Sequence, residues 1–259
     1  MSELTRRANY GVDSPRIVAA LCALGVVLLV VGHESSSAWR WVARGVGAYF
    51  LLGALGMLFY SKVGKRALTE RLVDRIQWRG NERVLDVGCG RGVLTMAAAH
   101  RVSRGSVIGV DVWNRIALSG NRAKSVLENA RIEGVDDRVE VREGDARALP
   151  FADETFDIVL SNFVVHELKN RADREQMMRE VSRVLRPGGQ VALVDLIFTD
   201  DCVDDLRKFG VESDRRRDGF LSFWISAILN FGTVKTYHVV GRKQQRAGES
   251  PLSASRVDS

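Results

Sequence analysis

From Val84 to Gly92 the chain reads Val-Leu-Asp-Val-Gly-Cys-Gly-Arg-Gly, an apolar run opening into glycine at every second position. Glycine belongs where the backbone turns sharply or where a ligand lies against the main chain. A dinucleotide site would want G-x-G-x-x-G, with a helix N-terminus facing a pyrophosphate. Here the third glycine comes one residue early, at Gly92, and Val93 stands where that pattern needs glycine. Asp86 would also repel a diphosphate. An acid at this point suits a cationic ligand, one carrying an ammonium and a sulfonium; the plainer alternative is that Asp86 caps the loop and only shapes it. Cys89 sits among the glycines where a small side chain is wanted, so it reads as packing rather than as a nucleophile. A short-chain oxidoreductase needs Tyr-x-x-x-Lys, yet Tyr10, Tyr49, Tyr60 and Tyr237 are followed four residues on by Ser14, Gly53, Gly64 and Gly241.

The elements that must position this loop alternate along the chain. Strands are expected at Arg83–Val87, Ser106–Val112, Arg138–Glu143, Phe156–Ser161 and Gln190–Ile197. Helices are expected at Ala67–Trp78, Val93–Arg101, Ala117–Gly134 and Asp173–Leu185, with another near Asp204–Phe209. Such alternation implies parallel pairing and an α/β, doubly wound sheet. Thr233–Val240 alternates well enough for a last, antiparallel strand. Residues 242–259 are polar and read as a disordered tail.

Five stretches in order resemble the class I S-adenosylmethionine-dependent methyltransferases. They are Val84–Gly92, Val107-Ile108-Gly109-Val110-Asp111, Gly144-Asp145-Ala146 with Leu149-Pro150-Phe151, Phe156–Asn162, and Leu185-Arg186-Pro187-Gly188-Gly189. The resemblance covers roughly Arg83–Asp195, and this region also resembles the ubiquinone/menaquinone-type enzymes. It implies a mostly parallel, seven-stranded Rossmann-like sheet and S-adenosylmethionine as cofactor. It places Asp86, Gly88, Cys89, Gly90 and Gly92 in the cofactor loop and Asp111 on the ribose hydroxyls. Val112 and Trp113 would flank the adenine, Asp145 would accept from its amine, and Ala146 would donate through its backbone. Ser161 and Asn162 would bring the fourth strand to the sulfonium. His166 follows that strand and is the best candidate for a general base toward a phenol or enol. A histidine that only hydrogen-bonds locally or opens a helix is the competing reading.

Ahead of this region lie two apolar runs, Ile17–Gly32 and Gly45–Tyr60, joined by a turn at Ser35-Ser36-Ser37. The expectation is a transmembrane hairpin with helices at about 17–32 and 41–60, Arg40 and Arg44 snorkelling, and Trp39, Trp41 and Tyr60 at headgroup level. Arg6, Arg7, Arg16, Lys62, Lys65 and Arg66 put both ends in the cytoplasm. Two buried core helices are the alternative. On this reading residues 1–66 anchor the chain in a lipid bilayer, and 67–241 form the catalytic domain. Residues 219–229, after Arg215-Arg216-Arg217, read either as an interfacial lid or as a core helix.

The formal charge of +6 over 259 residues is modest, and aromatics do not interleave with the bases as a nucleic-acid partner requires. The expected substrate is a small hydrophobic or lipid-like acceptor. A cofactor-binding scaffold without turnover and a metalloid (arsenite-type) methyltransferase are the other readings. The latter needs a cysteine set, and with Cys22 in an apolar run only Cys89 and Cys202 remain. Cys22, Cys89 and Cys202 have no metal-site spacing. Oligomeric state and the atom methylated stay open.

Overall fold

The structure is a computed structural model that describes residues 7–35, 37–217 and 236–245. A seven-stranded sheet carries the molecule, in the order β3-β2-β1-β4-β5-β7-β6. The central strands are β1 (Arg83–Val87), β2 (Ser106–Asp111), β3 (Val139–Glu143), β4 (Phe156–Asn162) and β5 (Leu185–Asp195), all parallel. β7 (Tyr237–Lys243) runs antiparallel to both β5 and β6 (Val211–Arg217). The strand order reverses between β1 and β4, so a crevice opens at the carboxyl ends of these strands, where α/β sheets bind ligands.

Helices cover both faces. On one side α3 (Lys65–Val73), α4 (Val93–Ala99) and α5 (Ala123–Glu133) pack through Leu68, Leu72, Leu94, Met96 and Val126 onto Val84, Val107 and Ile158. On the other, α6 (Arg171–Val184) and α7 (Thr199–Lys208) bring Met177, Met178, Val181 and Leu206 against Leu85, Val159 and Val191. Asn170 starts α6 by accepting from the Asp173 backbone N–H, which satisfies one otherwise unpaired helix donor.

Several bounds differ from expectation for physical reasons. α5 starts six residues later than Ala117, because the Asn114–Arg122 segment is engaged elsewhere: Leu118 bridges to Asp13 and Asn121 bonds Asp111. β6 was not expected at all; its Val211 and Ser213 face inward while Glu212, Asp214 and Arg216 face solvent, the period-two pattern of a charged edge strand. The Arg215–Arg217 cluster therefore lies on this strand. Arg242 and Lys243, expected in a loose tail, finish β7. The stretch expected as a lid, 219–229, and residues 246–259 lie outside the described residues.

Two helices precede the sheet, α1 (Pro15–Glu34) and α2 (Trp39–Phe59), each long and apolar enough to cross a membrane. Only 17% of each apolar window is buried, and Ile17, Val27, Val30, Trp39, Trp41, Leu52, Leu55 and Phe59 are exposed. The pair touches through small residues. A Cβ on Gly47 would sit 2.8 Å from the Gly25 carbonyl, and one on Gly25 would sit 2.7 Å from Leu51. Close backbone approach of this kind is how apolar helices associate where hydrophobic burial gives no driving force.

The expected break after Tyr60 is absent. A π-helical turn, Tyr60–Gly64, carries α2 directly into α3. The polar residues Ser61 and Lys65 can be buried here because they meet Asp13 of the N-terminal segment. That segment, expected with the anchor, packs instead on the α/β body. The Asn9 backbone donates to Asn129, the Tyr10 hydroxyl donates to Glu133, and Ser119 N donates to Val12 O.

Candidate functional site

One cavity of about 360 Å³ lies over the carboxyl ends of β1, β2 and β4. Asp86, Gly88, Cys89, Gly90, Asp111, Val112, Asp145, Ala146, Asn162 and His166 all line it. Gly92, Trp113 and Ser161 do not. Gly92 precedes α4 with φ 84°, where an added Cβ would press on Val126. Trp113 turns onto the core beside α4, with φ 58°, and Ser161 is buried and donates to the Val87 carbonyl. These three shape the walls without facing the space.

The glycine loop is built for close approach. Gly88 and Gly90 have φ 73° and 56°, and a Cβ on Gly88 would collide with Val164 while one on Gly90 would meet Leu118 at 2.9 Å. Asp111 organises the loop's far side. Its Oδ2 accepts from Gly90 N at 2.8 Å, and its Oδ1 accepts from Trp113 N at 2.6 Å and Asn121 Nδ2 at 3.1 Å. Asp145, at the rim, is held by the Arg147 guanidinium at 2.6 Å, which keeps its carboxyl below the usual carboxylate range.

Asp86 is fully buried at the end of β1. Burial first, then the nearby Asp111 charge, pushes its pKa up to about 7, although the Thr95 hydroxyl donates to Oδ2 at 2.6 Å. Its Oδ1 has no partner among the described residues, and neither do Asn121 Oδ1 and Asn162 Oδ1. Three buried acceptors without donors around one glycine loop are costly unless a ligand satisfies them. A ligand bearing an ammonium and hydroxyl groups fits that set. The Cys89 thiol is sealed, and burial pushes it well above its ordinary value; burial likewise pushes Cys202 up to about 12. Neither is poised as a thiolate, which needs a lowered pKa.

The opposite wall holds His166, on a 3₁₀ turn Val165–Glu167 that follows Phe163, itself at φ 57°. His166 Nδ1 lies 3.0 Å from Asp195 Oδ1 at the end of β5, and its backbone N–H reaches Asp195 Oδ2 at 3.3 Å. Asp195 is 1% exposed. Burial works against the imidazolium, but the hydrogen bond and charge of Asp195, with Glu167 adding, outweigh it and hold His166 above its ordinary value. Glu167 stands 3.5 Å from Nε2, while the close partner of Nδ1 is Asp195. The signal for Asp195 was available, since it is the terminal acid of an apolar strand beside β4.

Other wall residues carried no signal in the sequence. Asp13 of the N-terminal segment and Tyr60, Ser61 and Lys65 of the α2–α3 junction line the cavity. Lys65 Nζ pairs with Asp13 at 2.9 Å and donates to the Tyr10 carbonyl at 3.0 Å, closing the N-terminal segment over the site. Tyr60, expected at headgroup level, turns inward instead.

Comparison with known proteins gives these features a context. Residues 85–193 match the family described as "Methyltransferase domain". The chain is 31% identical to 27-O-demethylrifamycin SV methyltransferase of Amycolatopsis mediterranei, over 73% of this chain and 62% of that one. It is 30% identical to a protein of Encephalitozoon cuniculi assigned to the methyltransferases, over 67% of this chain and 70% of that one. It spans about half the length of most of the curated relatives it matches. The crystal structure of the [4+2]-cyclase SpnF shares the fold, with TM-score 0.57 and 17% identity over 91% of this chain and all of that one.

Proposed function

Because this chain belongs to the class I S-adenosylmethionine-dependent methyltransferases, we propose that it methylates a hydroxyl of a hydrophobic acceptor while tethered to a membrane by α1 and α2. The observation that carries this reading is His166, bonded to the buried Asp195, facing the cavity that the glycine loop also faces.

S-adenosylmethionine, when bound, supplies a methyl group already activated on a sulfonium. The chain's residues position and exclude water. Asp86 would hold the ammonium and Asp111 the ribose, with the loop glycines admitting the ligand to the backbone. Asn162 offers a further acceptor beside it. Asp195 fixes the His166 tautomer with the proton on Nδ1, so that Nε2 is free to take a proton from an acceptor hydroxyl. Such a base contributes about 10²–10⁴-fold. A base of this kind is needed for a hydroxyl and not for an already nucleophilic amine or thiolate, which is why oxygen is favoured here. The rifamycin relative's name also refers to an oxygen position, which agrees with this choice.

The membrane placement is supported by the exposed apolar belt of α1 and α2, their glycine-mediated contact, and Trp39 and Trp41 at the turn end. The basic residues at the other end favour a cytoplasmic catalytic domain. A fold does not fix a reaction, and SpnF is named for a cyclisation, so a binding protein without turnover is the second reading. The test uses the full chain in detergent with methyl-labelled S-adenosylmethionine and a panel of alkylphenols. Label in an organic-extractable ether, absent with His166→Ala, supports the proposal. No labelled product from a protein that binds the cofactor would favour the scaffold.

A further inference from the structure

Tyr60 stands at the junction of α2 and the catalytic body, and its hydroxyl is buried with no partner among the described residues. Burying a phenolic hydroxyl unpaired is unfavourable, so buried tyrosines normally find a partner. The position is enforced from several sides. The ring folds over Gly64, where a Cβ would lie 2.7 Å from Cδ2, so the π-helical turn requires glycine there. Its edge meets Phe163, with centroids 6.2 Å apart, and the other side of Phe163 meets His166 at 6.1 Å. All three side chains line the cavity. Single π-helical turns within longer helices often mark functional positions, and this one aims a membrane-helix residue into the site.

Building on the proposed methyl transfer to a hydrophobic hydroxyl, we infer that Tyr60 is an acceptor-positioning residue, its hydroxyl hydrogen-bonding an oxygen of the acceptor on the His166 side of the cavity. The assignment to the acceptor rather than to the cofactor follows from its neighbours. Tyr60 packs on the Phe163–His166 wall, whereas Asp86, Gly90 and Asp111 form the cofactor wall from β1 and β2. The anchor thus completes the acceptor site as well as tethering the chain. An acceptor moving along α2 would meet Met57 and then Tyr60 as it enters.

The experiment uses the full chain in detergent, saturated with S-adenosylhomocysteine and titrated with 4-nonylphenol and with 1-phenylnonane, which lacks the oxygen. The wild-type protein should prefer the phenol. Tyr60→Phe, which keeps the ring and its packing, should cut that preference about tenfold with S-adenosylhomocysteine affinity unchanged. A wild-type protein with no preference, or a Tyr60→Phe variant that keeps the whole of it, overturns the inference. A variant that loses S-adenosylhomocysteine affinity instead overturns it too, by assigning Tyr60 to the cofactor. A folded wild-type protein that does not bind S-adenosylhomocysteine defeats the methyltransferase reading itself, a result distinct from the others.

Discussion

The two walls of the cavity are made in different ways. The cofactor wall is backbone and carboxylate: a glycine loop between β1 and α4, closed by Asp111 from the next strand, all within Asp86–Asn121. The proposed acceptor wall is side chains brought from afar: Tyr60 from the turn after α2 and His166 after β4, with Asp195 of β5 bonded behind His166. The first wall, proposed to hold a constant ligand, is local in sequence. The second answers to a variable ligand and exists only once the chain has folded. On the proposed reading, the turn that follows α2 belongs to the variable half.

Breaking the acceptor wall should have the largest effect. His166→Ala is expected to lower the transfer rate by about 10²–10⁴-fold and to leave S-adenosylhomocysteine affinity, read by calorimetry, within about twofold. Asp195→Asn should do nearly as much and also move the pH profile. The neutral imidazole is the active form, so activity rises with pH through the His166 pKa, which Asp195 raises. With that charge removed, the acid limb should shift to lower pH. An unshifted limb would mean that the limb belongs to another group.

Breaking the cofactor wall should invert the pattern. Gly88→Ala forces a side chain onto Val164 at a left-handed backbone position, which costs about 1–3 kcal/mol. A lower melting temperature and at least tenfold weaker cofactor binding are expected.

A gentler probe of the same wall is pH. Asp86, with a pKa of about 7, must be ionised to pair with an ammonium. Cofactor affinity should therefore fall as pH drops below 7, by up to about tenfold per unit, with proton release on binding visible in buffers of different ionisation heat. A flat profile from pH 6 to 8 would remove Asp86 from that role.

The smallest effect is expected far from both walls. Gly47→Val should separate α1 from α2, since even a Cβ there meets the Gly25 carbonyl at 2.8 Å. The thermal transition in detergent should drop while cofactor affinity stays the same. A changed affinity would show that the helices reach further into the site than Tyr60 and Met57.

This division also explains what could be read from the residues in order. Buried strands running into glycine, and acids at strand ends, are local signals, so β1, β2, β4 and the place of the glycine loop were legible. The Asn9–Asn129 and Lys65–Asp13 contacts join residues 120 and 52 positions apart, and no periodicity announces them. Tyr60 looked like an interfacial aromatic because a helix ending in Lys62 and Lys65 looks like one leaving a membrane. Only the burial of Ser61 and Lys65 against Asp13 shows that the helix continues. Trp113, expected beside the adenine, has a left-handed backbone held by the Asp111 carboxylate and packs against the core instead of lining the cavity, which no local pattern announces.

The most direct test of the account is a calorimetric titration of the intact, detergent-solubilised chain with S-adenosylmethionine, using NADH as the control. Micromolar binding of S-adenosylmethionine, weakened by Asp111→Ala, with no heat from NADH, is the predicted result. A folded protein that binds NADH, or binds neither ligand, would contradict it.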